Sequence, residues 1–110
     1  MSSYSANYLA TEPTRDEVDA MPGTLLLEFG APWCSHCQAA QPVLQTLLAE
    51  CGNVIHHKIK DGRGRPLGRS FAVKLWPTLV LVRSGQEQAR LVRPVSEADL
   101  LPLRAALAGH

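Results

Sequence analysis

Glu28-Phe29-Gly30-Ala31-Pro32-Trp33-Cys34-Ser35-His36-Cys37 is the stretch where two patterns meet. Upstream, Thr24-Leu25-Leu26-Leu27-Glu28-Phe29 reads as a buried strand. Downstream, Gln38 to Glu50 reads as a helix, with Ala40, Val43, Leu44, Leu47, Leu48 and Cys51 recurring at helical steps on one apolar face. Two cysteines three apart at the start of such a helix sit close enough to form and break a disulfide. The helix N-terminus favours a thiolate at the first of them, because its free N–H groups and dipole stabilise negative charge. A CxxC between a strand and a helix is a redox arrangement.

The rest of the chain bounds this reading. With 110 residues it is expected to form one domain, 1–110, large enough for its own core. A net charge of +1 offers no general argument for nucleic acid or a membrane surface as partner. No apolar run approaches the length of a membrane span. Met1 to Asn7 has neither the basic head nor the apolar run of a secretory signal, so a cytoplasmic location is expected if Met1 is the natural start. In that reducing compartment a CxxC is catalytic or metal-binding more often than a structural staple. Three cysteines, an odd number, also argue against a disulfide scaffold.

Working outward, Tyr8-Leu9-Ala10 suggests a short edge strand. Thr14 with Glu17 forms a capping box for a helix over Arg15 to Ala20, which Pro22-Gly23 ends. The pattern from Val54 to Lys60 suits a strand, though an unclean one. Asp61 to Arg69 is a Gly- and Arg-rich loop leading to a short helix near Leu67 to Val73. Thr78 to Val82 is a β-branched, apolar strand, Arg83-Ser84-Gly85-Gln86 a turn, and Gln88 to Arg93 the returning strand. Ser96 and Asp99 cap a last helix to about Leu107, which Pro102 should kink or delay. The order βαβαβαββα predicts an α/β fold, a central mixed sheet flanked by helices on both faces.

The motifs, in this order, resemble the thioredoxin family over most of the chain. Glu28 to Cys37 looks like that family's active-site segment. It looks even more like that of protein disulfide isomerase domains, with their Glu, Ala-Pro-Trp and intervening His. Pro42 matches the helix-kinking proline, Trp76-Pro77-Thr78 the cis-proline loop and Gly85 the hairpin glycine. The resemblance implies the thioredoxin fold. It also implies that Pro77 is cis, packs on the CxxC and exposes a backbone edge to which a substrate peptide adds as a strand. Trp33, Trp76, Thr78 and Arg93 are the further substrate-binding candidates. Trp33 either touches substrate or packs on the loop; Trp76 either shapes the groove or fills a gap. Arg93 falls where the family keeps a glycine, so it either narrows the groove and selects acidic partners or points to water. Gly30 replaces a large aromatic and should open space beside the site.

Cys34 is expected to be the more exposed, nucleophilic cysteine, and Cys37 to resolve the mixed disulfide. His36, by charge or hydrogen bond, would stabilise the Cys34 thiolate and raise the potential; otherwise it is a permissive exposed residue. Glu28, alone in an apolar run, is expected to lie buried beneath the cysteines with a raised pKa and to move a proton for Cys37. Cys51 lies about 17 residues past Cys34, ~25 Å along a helix, so it reads as core. His56 and His57 face opposite sides of a strand, which weakens a zinc reading. The basic loop Gly62 to Arg69 lacks a phosphate-loop pattern.

The expected function is thiol–disulfide exchange with protein substrates, serving redox homeostasis. It needs no bound cofactor, and a separate reductase or small thiol supplies electrons to a monomer. The competing reading is an adaptor or redox switch dedicated to one partner. A metal site on Cys34 and Cys37 is the weakest, since no second cysteine pair completes it.

Overall fold

Thr14 opens the first helix with a reciprocal cap. Its hydroxyl accepts the Glu17 N–H at 3.1 Å, and the Glu17 carboxylate accepts the Thr14 N–H at 2.9 Å. Two donors that a helix start leaves free are thereby satisfied. In the computed structural model, which describes residues 2–108, this helix is α1, Arg15–Ala20. There follow β1 (Thr24–Gly30), α2 (Ser35–Ala49), β2 (Val54–Lys60), α3 (Pro66–Ser70), β3 (Thr78–Arg83) and β4 (Gln86–Val92). A 3₁₀ turn (Ala98–Leu100) and α4 (Leu101–Ala108) close the chain.

The strands form one mixed sheet in the order β2-β1-β3-β4. β1 runs parallel to β2, with Leu26 beside His56 and Glu28 beside Lys58, and antiparallel to β3. β1 and β3 are the inner strands and are covered on both faces, which is why they read as continuous apolar runs. On one face Leu26, Leu79 and Leu81 pack against Ala40, Leu44, Leu47 and Leu48 of α2 and against Leu100 and Leu103. On the other, Leu25, Leu27, Phe29, Val80 and Val82 meet Val18, Leu67 and Phe71. Each fully buried leucine stabilises the domain by ~1.5–3 kcal/mol. This packing clamps α2 to the sheet with its first turn at the end of β1.

One local expectation changes, and another is settled. Tyr8-Leu9-Ala10 is not a strand: it makes one isolated bridge, Tyr8 beside Lys58, with the Leu9 N–H on the Lys58 carbonyl at 2.9 Å. The polar residues before it carry no alternating pattern that could extend the pairing. Pro102 delays the start of the last helix rather than kinking it. The 3₁₀ turn comes first, and Pro102 becomes the second residue of α4, where a missing N–H has little consequence.

The β3–β4 turn holds Ser84 and Gly85 at φ 51 and 79°. Two positive values suit the twist of a two-residue hairpin loop. A Cβ at Gly85 would also lie 2.8 Å from the Asp19 carbonyl oxygen. The Trp76–Pro77 peptide bond, just before β3, is cis.

Candidate active site

Cys34 is the N-cap of α2. Its backbone is extended, and its Sγ accepts the Cys37 N–H at 3.2 Å. A sulfur there occupies the anion position of a helix start, facing the free N–H groups of the first turn. Both cysteines are unpaired, with Cys34 7 % and Cys37 2 % exposed, so Cys34 is the sulfur nearer solvent. Burial, then the hydrogen bond with Cys34, pushes the Cys37 thiol up to about 12, and the charge of Glu28 adds to the effect. Cys37 therefore stays protonated at neutral pH.

Beneath the pair lies a closed polar network. Glu28 is fully buried on the α2 side of β1. One carboxylate oxygen, Oε2, accepts the Gln41 Nε2–H at 2.7 Å; the other, Oε1, lies 2.8 Å from His56 Nε2. The same Gln41 amide nitrogen donates to the Cys37 carbonyl at 2.8 Å, which ties Glu28 to the turn holding Cys37. Gln41 Oε1 accepts from the Tyr4 hydroxyl at 2.7 Å and from Lys58 Nζ at 3.1 Å. Lysine can only donate, so the orientation of the amide follows.

Gly30 does not leave open space. The room beside it is filled by the Cys37 Sγ and the Tyr8 hydroxyl: a Cβ at residue 30 would lie 2.5 Å from the first and 3.4 Å from the second. Burial beside Cys37 and Glu28 raises the Tyr8 hydroxyl far above its usual value, so it remains protonated.

Above the sulfurs is a cleft of about 420 Å³, lined by Cys34 and, among others, Trp33, His36, Leu75, Trp76 and Arg93. Trp33 is 75% exposed and meets Trp76 edge-on at 5.4 Å. Trp76 is partly fixed, its indole N–H donating to Asp61 at 2.8 Å. Arg93 does not point to water. From a left-handed backbone, φ 55°, its Nε donates to the Trp76 carbonyl at 2.8 Å. Pro77 and Thr78 are buried, and the Thr78 hydroxyl donates to the Leu75 carbonyl at 2.6 Å. Thr78 therefore shapes the loop rather than offering its side chain to the cleft. His36 is exposed and makes no hydrogen bond to either sulfur among the described residues. Cys51 packs beyond the far end of α2 against the core.

Gln41, His56, Tyr8 and Asp61 were not singled out as site residues from sequence. Gln41 is one helical turn past Cys37, and His56 and Lys58 share a face of β2; both spacings were readable. The unclean pattern of β2 now has a cause: His56 and Lys58 are buried polar groups, 4% and 5% exposed, held by the network.

A family model described as Thioredoxin matches residues 6–103. Thioredoxin 2 from Pseudomonas aeruginosa PAO1, solved in its reduced form, is similar with a TM-score of 0.84 and 50% identity, over 96% of this chain and 98% of that one. Thioredoxin of Chlamydia muridarum is 39% identical over 82 residues, 74% of this chain and 79% of that protein. Human protein disulfide-isomerase A2 is 42% identical over 65 residues, which is 56% of this chain and 12% of that much longer protein. The family match takes in the cysteines, the strand beneath them and the proline loop together; the chain therefore belongs to the thioredoxin family, and its chemistry is thiol–disulfide oxidoreduction.

Proposed function

We propose that this chain works as a single-domain, monomeric reductant of protein disulfides, with Cys34 as the attacking sulfur and Cys37 as the resolving one. The Cys34 thiolate attacks one sulfur of the substrate disulfide. A mixed disulfide forms and the first substrate thiolate leaves. Cys37 gives its proton to the Glu28 carboxylate, and its sulfur then attacks Cys34. The Cys34–Cys37 disulfide forms, the second substrate thiolate leaves, and it takes up a proton by way of Glu28 or solvent. Two electrons pass to the substrate. A separate reductase or a small thiol returns them, in the cytoplasm, where the unpaired Cys51 suits a reducing setting.

The observation that carries this reading is the Cys34 Sγ at the N-cap of α2, accepting the Cys37 N–H. Its test is reduction of insulin with a small thiol as donor. Cys34→Ser is expected to abolish turnover and Cys37→Ser to accumulate mixed disulfides. The reverse pattern would overturn the assignment.

Trp33, Trp76 and the loop at Pro77 form the substrate groove in this reading, and Arg93 restricts it. Its bond to the Trp76 carbonyl occupies an acceptor that an incoming peptide strand would use. The same bond favours a second reading, an adaptor dedicated to one partner whose own groups displace Arg93. Slow turnover on insulin, with both cysteines intact and reducible, would decide for the adaptor.

A further inference from the structure

His56 is buried with its side chain fully enclosed, as is that of Glu28. Both its ring nitrogens are engaged. Nδ1 lies 2.9 Å from the backbone nitrogen of Ser5, and Nε2 lies 2.8 Å from Glu28 Oε1. A backbone N–H can only donate, so Nδ1 must be the bare acceptor nitrogen. The ring proton is then on Nε2 and points at Glu28. The second carboxylate oxygen already receives the Gln41 N–H. Two donors therefore converge on Glu28, and the arrangement suits the carboxylate rather than the acid, since a carboxyl proton would face a donor on either side.

The other groups around His56 leave both ring nitrogens to Ser5 and Glu28. From the N-terminal segment the Tyr4 ring lies tilted against it, the centroids 5.5 Å apart. From α2 come Gln41 and, beyond it, Cys37. On β2 itself the Lys58 ammonium is drawn away, to Gln41 Oε1 at 3.1 Å and the Ala6 carbonyl at 3.3 Å. Lys58 also sits over the Tyr8 ring. His57 belongs to the opposite face of the strand. No cation pairs directly with Glu28 among the described residues, apart from what His56 would provide if protonated.

We propose that His56 is a positioning residue for the resolving step: its Nε2–H, locked by the Ser5 backbone on Nδ1, holds Glu28 as the carboxylate that receives the Cys37 proton. The segment around Ser5 is thereby part of the redox site. This rests on the reading of Glu28 as proton acceptor. The step moves one proton from the Cys37 thiol to Glu28 while the sulfur–sulfur bond to Cys34 forms and the substrate thiolate departs; His56 keeps its own proton throughout.

The test is stopped-flow reaction with Ellman's reagent. The first phase loads Cys34 with thionitrobenzoate, and the second, release of that group by Cys37, reports resolution. Removing the donor with His56→Leu is expected to move the pH midpoint of the second phase to higher pH by about 1 unit, because the carboxylate loses a hydrogen bond that favours its charged form. His56→Gln keeps an N–H at similar reach and is expected to restore the midpoint. A simple packing role would change thermal stability without moving the midpoint. An unmoved midpoint in His56→Leu, with Glu28→Gln slowing the second phase, overturns the role of His56 alone. A second phase untouched by Glu28→Gln overturns the acceptor reading and this proposal with it. If His56→Leu does not fold, ¹⁵N NMR of the wild-type imidazole decides: a proton on Nε2 supports the proposal, and a proton on Nδ1 refutes it.

Discussion

Gly30→Ala puts the packing under the cysteines to a direct test. The substitution has two opposing effects. Gly30 is not among the residues with positive φ, so alanine can adopt its backbone conformation. The loss of unfolded-chain freedom alone would stabilise the protein by ~0.4–1 kcal/mol. Against this, the new methyl would sit 2.5 Å from the Cys37 Sγ, 3.6 Å from its Cβ and 3.4 Å from the Tyr8 hydroxyl. Non-bonded heavy atoms rest about 3.5–4.0 Å apart, so the sulfur must give way by about 1 Å. It is a short, buried side chain on the first turn of α2. Overpacking of this kind costs ~1–3 kcal/mol and should win. Net destabilisation by ~1–2 kcal/mol follows, and for a domain of this size each kcal/mol lowers Tm by roughly 4–8 °C. The assay is thermal or urea unfolding of the reduced protein in a double-mutant cycle with Cys37→Ala. The penalty should nearly vanish where the sulfur is absent, leaving a coupling of ~1 kcal/mol or more. An equal penalty in both backgrounds would refute the contact as its cause.

Other outcomes follow from the same geometry. Burial pushes the Cys37 thiol up from its ordinary value near 9.0 to about 12 in the folded chain, so the native state holds its proton more tightly than the unfolded state. Stability is then full below pH 9 and falls as pH rises toward about 12. The reduced protein should lose Tm across that window by more than the oxidised protein, which lacks the thiol; parallel curves would remove the effect. Arg93→Gly frees the Trp76 carbonyl and should raise kcat/KM on insulin by roughly 2- to 12-fold, the worth of one hydrogen bond of ~0.5–1.5 kcal/mol; an unchanged or lower value would show that Arg93 does not obstruct the groove. His36→Pro should lower the reduction potential of the Cys34–Cys37 couple, by up to about 90 mV if histidine alone separates isomerase-like from thioredoxin-like values. A potential that stays level or rises in glutathione buffers would take His36 out of that role.

The elements of the fold were legible where the signal is local. The Thr14–Glu17 box marked α1, the helical recurrence from Ala40 to Leu48 marked α2, and the apolar runs marked β1 and β3. Each depends on neighbours within a few residues, and the packing that buries them reinforces the same choice. The misreadings share another cause. Tyr8 looked like a strand because its neighbours are apolar, but a strand needs a continuous partner, and β2 offers it a single bridge. Gly30 looked like a vacancy because the chain alone cannot say which distant side chain enters the space. The cysteine pair, Glu28 and the proline loop could be placed from their motifs. Gln41, His56 and Asp61 were missed, since a polar residue at a plausible spacing is ordinary until its partner is known.

The order of residues by itself determined the strand–CxxC–helix unit, the burial of Glu28 and the identity of the two redox sulfurs. Those follow from periodicity, from capping chemistry and from a lone charge in an apolar run. Only the tertiary structure decided what surrounds them. Ser5 and His56 lie 51 positions apart, and Arg93 and Trp76 17 apart, yet each pair closes a hydrogen bond. Periodicity assigns a side chain to a face, to within several ångströms. A hydrogen bond demands about 3 Å and a direction, and only the packed sheet and helices supply both.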